Sequence, residues 1–276
     1  MTDLYAVIGN PVEHSRSPLI HAEFARQTRQ PVSYGKLYAE IAGFEAVVQR
    51  FREEGGRGVN VTVPFKHRAY ALASSRSRRA EEAQAVNTLS FEADGIKADN
   101  TDGVGLVRDL TRNLGCAIQN RRVLVMGAGG AAYGVCGPLL DAGPATLVVA
   151  NRTPDKAMDL ATRFAGLFPA APEVTGAGYA ELEGREFDLV INATSAGLSG
   201  EMPALPAGVF APGALAYDLV YGKDTPFLAL AARAGARAAD GLGMLVEQAA
   251  ESFYLWRGMR PDTAPVIELL RGTSKC

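Results

Sequence analysis

Short apolar runs alternate with helical apolar stripes along the chain almost from its first residue. Leu4-Tyr5-Ala6-Val7-Ile8 is an apolar run stopped by Gly9-Asn10-Pro11, the pattern of a buried strand. Ser17-Pro18 reads as a helix N-cap followed by proline at the first helical position, with Leu19, Ile20, Phe24 and Ala25 as the apolar stripe. A second strand is expected over Val32 to Ile41. Phe44, Val47, Val48 and Phe51 recur with helical spacing and predict a helix from Gly43 to Glu54. Gly58 to Val63 reads as a third strand, ended by Pro64. Two short helices follow, Lys66 to Leu72 and Arg78 to Ala85. Val86 to Phe91 reads as another strand, and Asp94-Gly95 is a hairpin turn signal that returns the chain through Ile96-Lys97-Ala98.

From about Thr101 the pattern is purely strand–helix–strand. A helix from Gly103 to Leu114 leads to the run Val123-Leu124-Val125-Met126. Further strands are expected at Leu147–Ala150, Val190–Ala193, Ala214–Asp218 and Ala236–Asp240, with helices between them. Val246 to Leu255 and Pro265 to Leu270 have helical apolar spacing. The whole pattern predicts an α/β protein of two domains. An N-terminal α/β domain with a mixed sheet spans 1–102 and is completed by C-terminal helices at 241–276. A Rossmann-type parallel-sheet domain spans 103–240.

Gly127-Ala128-Gly129-Gly130-Ala131-Ala132 lies between a predicted strand and a predicted helix. Glycines there let the backbone turn tightly and approach a pyrophosphate, and the helix N-terminus offers free N–H groups and partial positive charge. The bland alternative is a tight turn that binds nothing. The next strand, Ala145 to Ala150, ends in Asn151-Arg152-Thr153 rather than in the carboxylate that would bond a ribose 2′-hydroxyl. A guanidinium at that tip pairs with a 2′-phosphate. The residues therefore point to NADP over NAD.

Length and composition constrain the class. A chain of 276 residues accommodates two domains. Net charge is −2 with no long run of one sign, which gives no reason to expect nucleic-acid or membrane partners. Arg76, Arg78 and Arg79 are followed at once by Glu81 and Glu82, the pattern of a solvated helix face. Cys116, Cys136 and Cys276 are far apart and lack metal-ligand spacing, so neither a disulfide framework nor a metal site is expected, and a reducing cytoplasm fits. The N-terminus has neither the basic nor the long apolar region of a signal peptide.

A dinucleotide-dependent reaction needs a group that gives or takes a proton, and such groups should lie outside the cofactor domain. Asn60 and Thr62 alternate with Val59, Val61 and Val63, and so share one strand face. Lys66 follows just beyond Pro64. Asn87-Thr88 ends another segment, and Asp99-Asn100-Thr101-Asp102 sits at the domain boundary. A Lys66–Asp102 pair could stabilise a developing alkoxide and relay its proton. Equally, a lysine near a strand end is often solvated, Asn-Thr pairs often satisfy turns, and Ser17 is explained as a cap. His14, His21 and His67 lack metal spacing and read as surface histidines.

In order along the chain, several segments resemble the shikimate dehydrogenase family. They are Gly9-Asn10-Pro11-Val12-Glu13-His14-Ser15-Arg16-Ser17-Pro18, Asn60-Val61-Thr62-Val63-Pro64-Phe65-Lys66, Ala85-Val86-Asn87-Thr88 and Asn100-Thr101-Asp102-Gly103. The glycine turn, Asn151-Arg152-Thr153, Asn192-Ala193-Thr194-Ser195 and Asp240-Gly241-Leu242-Gly243-Met244-Leu245-Val246-Glu247-Gln248-Ala249-Ala250 complete the series. The resemblance implies reversible, NADPH-dependent reduction of 3-dehydroshikimate to shikimate, by a monomer or homodimer. It implies Lys66 and Asp102 as the catalytic pair, and Ser15, Ser17, Thr62, Asn87, Tyr221 and Gln248 as substrate ligands. It implies Gly127, Gly129, Gly130 and Ala131 at the pyrophosphate, Asn151, Arg152, Thr153 and Lys156 at the 2′-phosphate end, and Gly241 and Met244 near the nicotinamide. Two positions depart from the family's habit: Ala22 follows His21 where Asn is common, and Gly222-Lys223 follow Tyr221 where Asn-Pro is common. The second departure leaves room for a related substrate such as quinate or an amino-shikimate. A non-catalytic NADP-binding regulator would not need Lys66 and Asp102, and a folate-type dehydrogenase would not explain the serine motif.

Overall fold

The computed structural model describes residues 2–170, 173–194, 202 and 204–273. Ser195 and Cys276 lie outside them. The chain divides into two units, one built from residues up to Gly105 and from Val246 onward, the other from Leu106–Leu245.

In the first unit, strand β1 (Asp3–Gly9) is buried from Tyr5 onward and pairs in parallel with β2 (Val32–Tyr38) and β3 (Gly56–Val61). A strand with parallel neighbours on both sides carries a continuous apolar run, because both faces of it are covered. β3 then pairs antiparallel with β5 (Thr88–Glu92), which forms the hairpin with β6 (Gly95–Asp99). Edge strand β4 (Ser75–Arg76) completes the order β2-β1-β3-β5-β6-β4. The sheet is mixed, as the pattern predicted. Helices α1 (Ser17–Thr28), α2 (Phe44–Glu53), α3 (Lys66–Leu72) and α4 (Arg78–Ala83) lie between these strands in the chain. Ile8, Phe44, Val48, Val59, Phe65, Val86 and Leu89 belong to one core cluster of this unit.

Several sequence expectations shift. The second strand stops at Tyr38, and Ile41, exposed, begins a single 3-10 turn. The third strand ends at Val61, and Val63 is exposed. Ser17 does not cap α1: Arg16 is the N-cap without a side-chain bond, and Ser15 Oγ accepts from the Ser17 N–H at 3.3 Å. Leu19 is exposed, and the buried stripe of α1 is Ser17, Ile20, His21, Phe24 and Ala25. His21 is therefore a core residue and not a surface histidine. It stacks on Tyr34 with ring centroids 4.1 Å apart and packs near Phe24, Phe253 and Trp256.

In the second unit, α5 (Asp102–Arg108) enters from the first unit and passes into a π-helical turn at Asp109–Asn113, so the expected single helix to Leu114 is interrupted. Strands β7 (Arg122–Met126), β8 (Thr146–Ala150), β9 (Glu173–Ala177), β10 (Phe187–Asn192), β11 (Phe210–Asp218) and β12 (Arg237–Asp240) are all parallel, in the order β12-β11-β10-β7-β8-β9. Read from β9, this is the doubly wound order whose reversal point lies between β7 and β10. β9 was not expected; Glu173-Val174-Thr175-Gly176-Ala177 has too few apolar residues to announce an edge strand. Helices α6 (Gly130–Asp141), α7 (Pro154–Leu167) and α8 (Pro226–Arg233) connect the strands. Alternate residues face opposite layers: Val123, Val125, Leu147 and Val149 join one core, Leu124, Met126, Val148 and Ala150 the other. Helix α9 (Leu242–Arg257) leads back to the first unit, longer at both ends than its apolar spacing indicated, and α10 (Ala264–Thr273) follows.

Burial pushes the pKa of His21 down to about 3, opposed in part by the Asn60 amide. In the pH window between the unfolded value and that folded value, only the unfolded chain gains the proton. Stability from this group is therefore complete above about pH 6.5 and is lost as pH falls below it, by about 1.4 kcal/mol per pH unit at the steepest. His21→Phe keeps an aromatic ring against Tyr34 and removes the titration. Urea unfolding between pH 7 and pH 5 should show a steeper loss for the native chain than for this variant. Equal pH slopes would contradict the buried neutral imidazole.

Candidate active site

Parallel pairing brings two loops of the first unit to one edge of its sheet. β1 and β3 run side by side, with Ile8 opposite Val61. The Thr62 N–H donates to Ile8 O at 3.0 Å and the Asn10 N–H to Val63 O at 3.1 Å. The loop bearing Ser15 and Ser17 thus leaves the same carboxyl end from which Thr62 and Lys66 leave. A side chain at Gly9 would put its Cβ 2.4 Å from Thr62 Cγ2, so only glycine lets these strand ends approach. Carboxyl ends of parallel strands are where α/β sheets bind ligands.

Lys66 opens α3 and Asp102 opens α5. Lys66 Nζ donates to Asp102 Oδ2 at 2.5 Å, with a quarter of the lysine side chain exposed. The ammonium is held, yet solvent and small molecules can still reach it. The pair that sequence spacing left open is formed.

Asn87 fixes the other oxygen of this carboxylate. Its Nδ2 lies 2.9 Å from Asp102 Oδ1, 2.8 Å from Thr101 Oγ1 and 3.1 Å from Gln248 Oε1. Its Oδ1 accepts from the Thr101 N–H at 2.8 Å and from Thr88 Oγ1 at 3.0 Å. Asn87, Asp102 and Gln248 are therefore gathered at one place. A second amide lies behind them. Asn60 Nδ2 donates to Thr88 Oγ1 and Ser252 Oγ at 3.1 and 3.0 Å, and Asn60 Oδ1 accepts from the Tyr34 hydroxyl at 2.7 Å. Ser252 is fully buried and was not singled out from the sequence. Its signal was available: it stands one helical turn after Gln248 on α9, on the same face.

Arg79 also departs from its expected place on a solvated face. Its guanidinium grips Asp99 with two bonds, at 3.0 and 2.7 Å, and reaches Glu251 at 3.2 Å. Asp99 Oδ1 further accepts from Ser77 Oγ and from the Asn100 N–H. Asn100 Oδ1 accepts from the Asp102 N–H at 3.1 Å. A chain of charge-assisted bonds thus anchors the strand end from which Asp102 departs.

In the second unit, the glycine turn lies between β7 and the N-terminus of α6. Gly127 has φ +101°, and a Cβ there would meet Ala193 O and Thr194 Cγ2 at 3.1 Å. Gly129 is the N-cap of α6, and a Cβ on it would enter open space. Gly130 and the exposed Ala131 form the first turn, which carries no side-chain cap. Its N–H groups are the ordinary anion donors of a helix start. Asn151, Arg152 and Thr153 follow β8, and Lys156 lies in the first turn of α7. Arg152 and Lys156 are both exposed, while Asn151 Nδ2 turns back to Thr153 O at 3.0 Å.

Tyr221, Gly241 and Met244 also belong to this unit. Asp218, fully buried at the end of β11, accepts from Asn192 Nδ2, Thr225 Oγ1 and the Val220 N–H, and so shapes the loop that carries Tyr221. Gly222 has φ +70°, a left-handed conformation that glycine and asparagine both tolerate, and its N–H donates to Asp240 Oδ2. A Cβ at Gly241 would stand 2.4 Å from Leu219 O, which requires glycine there.

Three family profiles match the chain. Residues 7–89 match the shikimate dehydrogenase substrate binding domain, residues 109–199 the shikimate / quinate 5-dehydrogenase profile, and residues 241–271 the shikimate 5'-dehydrogenase C-terminal domain. A protein of Nitrosospira multiformis named shikimate dehydrogenase (NADP(+)) is 60% identical over 275 residues, covering 99% of this chain and 98% of its own. The crystal structure of an Ael1 enzyme from Pseudomonas putida superposes with TM-score 0.92 at 52% identity, over 98% of each chain. Shikimate 5-dehydrogenase from Thermus thermophilus, solved with NADP(H) and shikimate, gives TM-score 0.85 at 34% identity, over 98% of this chain and 99% of that one.

Arg79→Met removes the cation while its two carboxylate partners stay in place. Breaking a pair of this burial should cost about 3 kcal/mol in urea unfolding. Lys97→Met, which breaks the exposed pair with Glu92, should cost far less, because an exposed pair is screened by solvent. Equal costs would show that the Arg79 anchor carries no special weight.

Proposed function

The chain belongs to the shikimate dehydrogenase family, and from that premise we propose how its residues carry out the NADP-dependent, reversible reduction of 3-dehydroshikimate to shikimate. The observation that carries the reading is the Lys66–Asp102 hydrogen bond, buttressed through Asn87. NADP, when bound, supplies or accepts the hydride. Gly127, Gly129, Gly130 and Ala131 hold its diphosphate, Asn151, Arg152, Thr153 and Lys156 its 2′-phosphate end, and Gly241 and Met244 border its nicotinamide. Lys66 gives a proton to the substrate oxygen as the carbonyl becomes an alcohol, and takes it back in the reverse direction. Asp102 holds the Lys66 amine aimed through their hydrogen bond.

Ser15, Ser17, Thr62, Asn87, Tyr221 and Gln248 bind the substrate's hydroxyls and carboxylate. A small polyhydroxylated acid needs many short donors and acceptors, and these side chains are such groups. A site built to bond hydroxyls rejects analogues that lack them, because its polar groups would be left unpaired. The name carried by relatives of about this identity favours shikimate over quinate as substrate. No helix among the described residues is long and apolar enough to cross a membrane. Cys116 and Cys136 are free thiols, which fits a cytoplasmic enzyme. We further propose that it works as a monomer or homodimer.

The reaction is tested by reduced-nicotinamide absorbance with NADP and shikimate, with quinate and NAD as parallel arms. Turnover of quinate but not of shikimate would overturn the substrate. Lys66→Ala should abolish most turnover and leave NADP affinity largely intact; a near-normal rate would remove Lys66 from the chemistry. Arg152→Ala should weaken NADP binding by about 1.5–3 kcal/mol, the scale of a hydrogen bond to a charged group. NAD binding should barely change, and an equal loss for both cofactors would exclude a 2′-phosphate role.

A further inference from the structure

Asp109 is an acidic residue in the core of the second unit, only 2% exposed. It stands in the π-helical turn after α5, and its chain neighbours Leu106 and Leu110, like its partner Tyr217, belong to one apolar core cluster of this unit. A buried carboxylate costs several kcal/mol unless its oxygens are bonded. Here they are bonded. Tyr217, fully buried on β11, donates its hydroxyl to Asp109 Oδ2 at 2.6 Å, and Asn113 Nδ2 donates to Asp109 Oδ1 at 2.9 Å. The same Tyr217 oxygen accepts the Met244 N–H at 3.2 Å. Burial, with the nearby carboxylate of Asp109, holds the phenol's pKa well above its usual value, so it keeps the proton that this chain of bonds requires.

The carboxylate also occupies the space of a missing side chain. A Cβ at Gly243 would lie 1.9 Å from Asp109 Oδ1 and 2.4 Å from Oδ2. Asp109 is thus packed against the first turn of α9, where negative charge complements the helix dipole. The short segment from Gly241 to Met244 is fixed at both ends. Gly241 is pressed against Leu219 O and donates its N–H to Val220 O at 3.2 Å, while Gly243 and Met244 rest on Asp109 and Tyr217. An apolar pair would fill this volume at lower desolvation cost. The polar pair adds something an apolar one lacks, a directed bond to the Met244 backbone.

We propose that Tyr217 and Asp109 are positioning residues that set the Gly241–Met244 segment against the nicotinamide end of NADP. The proposal rests on the reading above that Met244 borders the nicotinamide. Neither residue touches the reacting atoms; each acts through the Met244 backbone.

The test is Tyr217→Phe, which keeps the ring and removes the hydroxyl. Binding of NADP is compared with binding of 2′,5′-ADP, which has the adenosine and 2′-phosphate but no nicotinamide. NADP affinity and kcat should each fall by about tenfold, the upper scale of one lost hydrogen bond. Affinity for 2′,5′-ADP and KM for shikimate should stay within about twofold. Asp109→Asn, which keeps an acceptor for the Tyr217 hydroxyl, should retain most of kcat, whereas Asp109→Ala should behave like Tyr217→Phe. Unchanged NADP affinity and kcat in Tyr217→Phe would overturn the proposal. So would a parallel loss of 2′,5′-ADP binding, which would mark a general structural defect. The native chain is the control: if it bound NADP but did not turn over shikimate, the functional reading would fail, while the two binding measurements would still decide the positioning role.

Discussion

A primary amide offers two N–H groups and one carbonyl oxygen, and at Asn87 both sides are engaged. The oxygen takes the Thr101 N–H and the Thr88 hydroxyl; the nitrogen faces Asp102, Thr101 and Gln248. This one side chain ties the β5 start, the α5 start and helix α9 together. Asp102 can aim one oxygen at Lys66 because Asn87 holds the other. Buried polar networks carry high stakes: fully bonded they fix one geometry, and partly bonded they cost more than an apolar core would. The Asn60 amide repeats the arrangement one layer deeper, through Thr88 and Ser252.

The second unit meets the same demand differently. Its proposed cofactor surface is mostly backbone, shaped by positions that leave little or no room for a side chain, at Gly127, Gly241 and Gly243. Its exposed cations Arg152 and Lys156 are the groups proposed to meet the 2′-phosphate. A carboxylate-rich substrate side would repel its own ligand, and an apolar one would not orient it. The residues proposed for substrate in the first unit are accordingly neutral hydroxyls and amides around the Lys66 amine that Asp102 holds.

Much of this was legible in the sequence, for a physical reason. Parallel strands buried on both faces must be apolar runs, so β1, β7 and β8 announced themselves, and the glycine run between β7 and α6 marked the strand-to-helix turn by local chemistry alone. Lys66 and Asp102 were visible as candidates, but 36 residues separate them, and only the mixed sheet brings them together. His21, Arg79 and Ser252 could not be placed correctly by pattern. Histidine, arginine and serine are usually exposed, and what buries these three is tertiary: Tyr34 and Phe253 around His21, Asp99 and Glu251 around Arg79, and Asn60 for Ser252 from 192 residues away. β9 escaped because an edge strand needs little hydrophobicity. The π-helical turn at Asp109 escaped because nothing in local spacing marks it.

The proposed chemistry requires Lys66 and Asp102 to act as one unit and not as two independent contributors. A double-mutant cycle on kcat for shikimate oxidation tests it, using Lys66→Ala, Asp102→Ala and the double variant. If the ammonium works only while the carboxylate holds it, the double variant should be little slower than the worse single one, because residues that act together lose their effect together. Rate losses that multiply across the cycle would show that each side chain contributes separately, and would contradict the account.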